Sequence, residues 1–371
     1  MKKKVGILTY HKSFNYGALL QVFATQKIVE KLGHEGFVVN YENKDEKKEN
    51  TFLSYKKGFD LKRNLKDLIR NIFLKSYSIR KNNFSKFSNN LKKTVIVTDG
   101  GEINSKLDYI DIFMAGSDQI WNPEINGGKF DDVFLLDFTS KKKISYASSS
   151  GSHKFTSEEQ EYLKKVLSTF NNISVRESYL QKELKKIGFK NVNLVLDPTL
   201  LFTREQWKIE CYDEDILKSV PEKYILVYIL EPFNNFCKEQ IKNLKQIYGL
   251  KTVNVGFSTR KKEGIDINLT NVTPERFVAL IANATLIVTD SFHGTAFSVN
   301  FNKDFFAILN PSNPIRVQNF LENLKLENRI LSDIKNKKSD KSKVIYDYAN
   351  KILIKEREDS IEYLKKAIEI R

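Results

Sequence analysis

Two cysteines, Cys211 and Cys237, are all that the 371 residues contain, and they form no CxxC pair. A disulfide framework and a thiolate zinc site are thereby excluded, leaving two reduced thiols. Histidine is nearly as scarce: His11, His34, His153 and His293 stand at no metal-ligand spacing, and no acidic cluster suggests a metal site. No run approaches the ~20 uninterrupted apolar residues of a membrane span. The N-terminus, Met1-Lys2-Lys3-Lys4 and then Val5-Gly6-Ile7-Leu8, reaches Tyr10, His11 and Lys12 too soon for a signal-peptide core, so a cytoplasmic chain is expected. Arginine is rare too, with 11 residues among 61 basic ones, so the net charge of +15 largely reflects lysine usage. No module with aromatics interleaved among bases is present, and no nucleic-acid partner is expected.

Apolar residues are plentiful: 41% of the chain is hydrophobic and 12% aromatic, enough for about two domains. Val5–Thr9, a helical pattern from Ala18 to Leu32 stopped by Gly33, and Phe37–Tyr41 make a βαβ opening. Strand candidates Ile110–Ala115, Lys143–Ala147, Ile173–Val175 and Val192–Leu196 extend it, with helical patterns over 157–170 and 178–187. After the polar stretch 210–215 the pattern restarts with Tyr224–Leu230, Thr252–Val255, Leu286–Thr289 and Phe305–Leu309, separated by helical stretches at 234–248, 274–283 and 315–324. Strands alternating with helices predict doubly wound, parallel, Rossmann-like sheets. The expected division is an N-terminal α/β domain over 1–205, a C-terminal α/β domain over 206–340, and a helix over 341–371 that packs back on them. Its predicted apolar stripe is Ile345, Tyr348, Ile352, Ile361, Leu364 and Ile368.

A basic insert interrupts the first half: residues 51–93 carry twelve Lys or Arg against only Asp60 and Asp67. Within it Leu61, Leu65, Leu68, Ile69, Ile72 and Phe73 form a helical stripe beside Lys62, Arg63, Lys66 and Arg70. This is the makeup of an interfacial helix on anionic lipid, or equally of a core-facing helix with a solvated basic face.

Four strand ends carry unusual residues. The first, Thr9 to Gly17, leads into a helix, and Lys12, Asn15 and Gly17 there suit an anion at a helix N-terminus, or the segment is simply a structural turn. The second, Ala115-Gly116-Ser117-Asp118-Gln119-Ile120-Trp121-Asn122-Pro123, sets one of two tryptophans among Asp118, Gln119 and Asn122, a mixture that holds sugars; a core plug is the alternative for Trp121 and a helix cap for Asp118. At the third, Ile173-Ser174-Val175-Arg176-Glu177, a rare arginine aims a planar fork at carboxylate or phosphate, or else pairs with Glu177 or another acid. The fourth is the most specific: after Leu286–Thr289 come Asp290, Ser291, Phe292 and His293, then Gly294 and Thr295 open a small-residue helix. That puts an imidazole beside helix-terminal N–H groups, where an anion and a proton transfer meet, with a purely structural histidine as the alternative.

At these residues the chain resembles the polysaccharide pyruvyl transferase family. GILTYHKSFNYGALLQ, AGSDQIWNP, SYASSSG, SVRE, LDPTLL and VTDSFHGTAFSV occur in the family's order over most of residues 5–310. The resemblance implies a fold like two-domain GT-B glycosyltransferases. It also implies transfer of pyruvate from phosphoenolpyruvate (PEP) to a sugar hydroxyl pair as a ketal, in bacterial surface-polysaccharide synthesis, with no cofactor. By position His293 would be the catalytic histidine and Arg176 the donor-facing arginine. Some members have Arg and Leu where Ser291 and Phe292 stand, so one donor cation is missing and Lys12 is the substitute. Reading the strand ends together with this resemblance, the expected donor set is Arg176, Ser291, Gly294, Thr295, Lys12, Asn15 and Gly17 and the expected acceptor set is Gln119, Trp121 and Asn122, with Asp118 taken as base from the chemistry alone. The implied acceptor is a sugar or glycolipid, with peripheral contact at the inner membrane. The alternatives are a nucleotide-sugar glycosyltransferase, against which residues 291–303 hold no acid for ribose hydroxyls, and a non-catalytic carbohydrate-binding member.

Overall fold

The computed structural model describes residues 1–42, 78–79, 81–230, 233–256, 258, 262–309, 314–331 and 343–370. Among these, one compact unit gathers the residues within 1–69, 88–201 and 356–371, and a second those within 70–87 and 202–355. The division after Leu201 lies four residues before the expected boundary. Residues 81–87, expected in the first half's insert, belong instead to the second unit. Asn83 Nδ2 donates to the Asn271 carbonyl (3.1 Å), and Phe84 and Phe87 are buried. The stripe from Leu61 to Phe73 and its basic flank lie outside the described residues.

In the first unit, β1 (Lys4–Leu8), β2 (Glu35–Tyr41), β3 (Lys93–Val97), β4 (Ile112–Ala115) and β5 (Lys142–Ser145) form a parallel sheet in the order β3-β2-β1-β4-β5. β1 is central, with Val5 opposite Gly36 on one side and Ile112 on the other. Its near-continuous apolar run is what a strand buried on both faces requires. β6 (Ile173–Val175) and β7 (Val192–Leu194) pair in parallel, and bridges Ile144–Asn172 and Ser148–Val175 join β6 to the β5 side.

The second unit repeats the plan. β8 (Tyr224–Tyr228), β9 (Lys251–Val255), β10 (Ile267–Leu269), β11 (Leu286–Thr289), β12 (Asp304–Ile308) and β13 (Ile330–Leu331) run in the order β10-β9-β8-β11-β12-β13, again parallel. Each sheet therefore has a topological switch point, between β1 and β4 and between β8 and β11, outside which ligands bind in such folds.

The last helix, Asp347–Glu369, differs from expectation in phase. Its buried stripe is Ala349, Leu353, Ser360, Leu364, Ala367 and Ile368, preceded by buried Tyr346, whereas Ile345 and Tyr348 face solvent. Ile345 precedes the helix, so it does not share the helical period. On the first unit the helix is fixed by polar bonds: Arg357 Nε donates to the Leu200 carbonyl (2.8 Å), the Leu196 N–H to Ser360 Oγ (2.9 Å), and the Tyr363 hydroxyl to the Ser145 carbonyl (3.0 Å).

Candidate functional site

At the switch point of the first unit, polar side chains bond to one another. Thr9, just past β1, donates from Oγ1 to the Ser117 carbonyl past β4 (2.6 Å), and Gln21 Nε2 donates to Thr9 Oγ1 (3.0 Å). His11 is buried, with its ring nitrogens 3.2 Å from the Thr9 carbonyl and from Asn40 Oδ1, and burial pushes its pKa down to about 4. It is a neutral imidazole that holds the β1 loop.

The anion site expected at the first helix is occupied by the chain itself. Asn15 is the N-cap of Tyr16–Lys31, and its Oδ1 accepts the N–H groups of Gly17 (2.9 Å) and Ala18 (3.4 Å). Those donors are therefore satisfied without a ligand. Lys12 Nζ bonds Glu42 Oε1 at 2.7 Å, so it is no uncommitted donor cation.

The β4 loop is likewise largely structural. Trp121 is fully buried; its Nε1 donates to the Phe134 carbonyl (3.2 Å) and its ring meets Phe170 edge-on. It is a core residue, which corrects the acceptor reading. Asn122 is also buried, caps the short 3₁₀ helix Pro123–Asn126, and donates to Gln119 Oε1 (3.1 Å). Gln119 and Asp118 are half-buried and remain within reach of a ligand. Asp118 adopts φ +78°, a left-handed conformation that Asp tolerates better than most residues, and its Oδ1 accepts the Gln119 N–H (2.9 Å).

Arg176 has two carboxylates of its own chain. Nε donates to Glu177 Oε1 (2.8 Å) and Nη1 to Asp197 Oδ2 (2.9 Å). Burial opposes the charge, but Glu177 and Asp197 outweigh it and hold the pKa above the ordinary arginine value. Ser149 Oγ completes Glu177 Oε1 (2.9 Å), and Asp197 Oδ1 takes both the N–H and Oγ1 of Thr199 (3.0 and 2.7 Å). The fork thus ties the ends of β6 and β7 together, which is the expected alternative of pairing with Glu177 and another acid.

In the second unit, Asp290 follows β11 and its Oδ1 accepts the Leu230 N–H (2.8 Å), bracing the switch point. Ser291 caps the helix Phe292–Asn300 through the Gly294 N–H (3.3 Å), and Thr295 Oγ1 donates to the Ser291 carbonyl (3.0 Å). A Cβ on Gly294 would stand 2.4 Å from Thr289 Oγ1, so glycine here lets helix and strand meet. These three donor-set residues therefore build the turn that presents His293. The His293 ring is 5% exposed and meets the Phe292 ring edgewise at 5.4 Å. Arg316, on the helix Pro314–Asn323, lies over the Phe292 ring at 4.9 Å. That brings a guanidinium to the His293 motif, where a cation was thought missing. The rarity of arginine that drew attention to Arg176 was a signal for Arg316 as well.

Two parallel doubly wound sheets, with polar side chains at the switch points, define a two-domain Rossmann-like α/β protein of the GT-B type. The fold is similar to that of the UDP-GlcNAc 2-epimerase from Methanocaldococcus jannaschii (TM-score 0.51, 13% identity, 95% of this chain and 99% of that one). It is likewise similar to that of a putative UDP-N-acetylglucosamine 2-epimerase from Listeria monocytogenes (TM-score 0.50, 11% identity, 99% and 91%). At such identities the likeness is one of fold. The chain belongs to the polysaccharide pyruvyl transferase family, whose family model matches residues 15–313. No curated protein matches it significantly.

Proposed function

We propose that the protein transfers a pyruvyl group from PEP to a hydroxyl pair of a surface-polysaccharide sugar or its lipid-linked precursor, forming a ketal and releasing phosphate. The family match over residues 15–313 carries this reading. The placement of His293 supports it: an imidazole past the end of β11, next to the Phe292 ring that Arg316 covers, at the carboxyl edge of a parallel sheet.

In the proposed sequence the acid protonates the PEP methylene carbon while one sugar hydroxyl attacks the neighbouring carbon. The second hydroxyl then displaces phosphate at that carbon, and the two hydroxyl protons pass to the base and to solvent. His293 is the acid. Asp118, half-buried and at the β4 end, is the base. Arg316 offsets donor charge in place of the cation that Ser291 does not supply. No helix among the described residues is long and apolar enough to cross a membrane. Our reading places the enzyme in the cytoplasm, in peripheral contact with the membrane that holds a lipid-linked acceptor.

The deciding experiment measures phosphate release from PEP over a panel of free and lipid-linked sugars, beside hydrolysis of nucleotide sugars. Acceptor-dependent phosphate release with a ketal product by NMR is expected. Turnover of a nucleotide sugar alone would assign the glycosyltransferase alternative, and no turnover of either the non-catalytic one.

A further inference from the structure

Lysine is the commonest charge on this surface, yet Lys262 is placed unlike its neighbours. It lies between β9 and β10, half-buried, with Nζ 4.9 Å over the Phe233 ring and 3.4 Å from Asn254 Oδ1. Both are neutral partners. The acids flanking it in sequence serve other lysines: Glu263 pairs with Lys242 and Asp266 with Lys245, each at 2.5 Å. Among the described residues Lys262 forms no ion pair within 4.0 Å.

Its surroundings are built rather than incidental. Asn254 is fully buried and held by Asn268, its Nδ2 donating to Oδ1 at 2.6 Å. At residue 256 there is no side chain; a Cβ there would stand 3.0 Å from Asn254 Nδ2 and 3.7 Å from Lys262 Nζ, so glycine keeps that space open. Burial pushes the Lys262 ammonium below the ordinary lysine range; Asp290 and Cys237 act in the opposite direction. Asp290 is the residue that braces the ends of β8 and β11, three positions before His293. The ammonium is thus at the same carboxyl edge of the sheet as the His293 turn. A half-buried cation whose hydrogen bond and ring contact among the described residues are to an amide oxygen and an aromatic face is stabilised by an incoming oxyanion more than a solvated or paired lysine is.

We propose that Lys262 binds the anionic group of the donor, phosphate or carboxylate, in the second unit; this rests on the PEP reading above. Arg316 lies over the Phe292 ring next to His293, and Lys262 stands by Asn254 of β9, in the same sheet as β11.

The test is titration calorimetry of the full chain with PEP, inorganic phosphate and UDP as separate probes. The proteins are the parent, Lys262→Met, Lys262→Arg and, as a control on an exposed ion pair, Lys242→Met. PEP affinity at least tenfold weaker in Lys262→Met, partly restored in Lys262→Arg and unchanged in Lys242→Met, is the expected result. Parental PEP affinity in a folded Lys262→Met overturns the inference and leaves the PEP reading standing. Should the parent bind UDP but not PEP, and Lys262→Met lose that binding, Lys262 keeps its oxyanion role while the PEP reading falls. A parent that binds none of the three probes overturns the inference.

Discussion

Arg176 Nη1 and Asp197 Oδ2 stand 2.9 Å apart with side chains 2% and 0% exposed, a buried ion pair at the ends of β6 and β7. Removing Asp197 leaves Arg176 paired with Glu177 alone and takes that acceptor from buried Nη1 and from the Thr199 N–H and hydroxyl, at about 1–3 kcal/mol for each buried donor left unsatisfied. Asp197→Ala should therefore lower the urea unfolding midpoint strongly at unchanged m-value. Arg176→Lys should destabilise as well, because an ammonium cannot reproduce the fork that serves Glu177 and Asp197 together. A parental midpoint with a raised donor KM would return Arg176 to the donor site.

His293→Gln should leave the unfolding midpoint near the parental value and reduce turnover by ~10²–10⁴-fold, the usual worth of a positioned acid. Steady-state phosphate release, measured beside a thermal melt, checks both halves. Retention of most activity removes His293 from the chemistry.

Gly294→Ala should destabilise the second unit, since its Cβ would meet Thr289 Oγ1 at 2.4 Å. Overpacking of this kind costs roughly 1–3 kcal/mol. Thr289→Ala removes the clashing hydroxyl and methyl, so the double variant should be less destabilised than the sum of the single ones. Additivity would show that the helix moves away at no cost.

His11 makes stability depend on pH. Burial depresses its folded-state pKa to about 4, against 6.5 when unfolded, so above pH 6.5 both states are neutral. As pH falls from 6.5 to 4 the unfolded chain takes up a proton that the native state refuses, and about 3 kcal/mol of stability is lost. In His11→Gln this part of the acid-side slope should vanish, as read from urea midpoints at successive pH values.

His153 acts in the opposite sense. Burial lowers its pKa, but Glu159 (2.9 Å) and Glu124 (3.0 Å) outweigh that and raise it above 6.5. Its contribution is full below the unfolded-state pKa and is lost as pH rises through the folded value. His153→Gln should thus lower stability in mild acid and leave it unaffected at alkaline pH. Equal loss across the range would assign the effect to packing on Phe155 instead.

The repeated βα alternation was legible because period and apolar run length are local properties of a chain. Central strands such as β1, β8 and β11 are buried on both faces and stand out as unbroken apolar runs. The edges were not legible. β3 exposes Val95 and Ile96, β10 is only half-buried, and β13 has two residues, so none carries a buried run. The last helix was recognised, but its phase follows from Tyr346, whose hydroxyl reaches the Lys303 carbonyl, and not from the exposed Ile345.

The sequence by itself determined the fold class, the family and the place of the His293 turn, because these depend on residue types in a fixed local order. Tertiary structure decided what each polar group binds. Asp197 lies 21 residues from Arg176, and the Phe134 carbonyl 13 from Trp121. No pattern within either segment names such a partner. A buried charge or N–H must find one, and strand order determines which chain segments lie close enough to provide it.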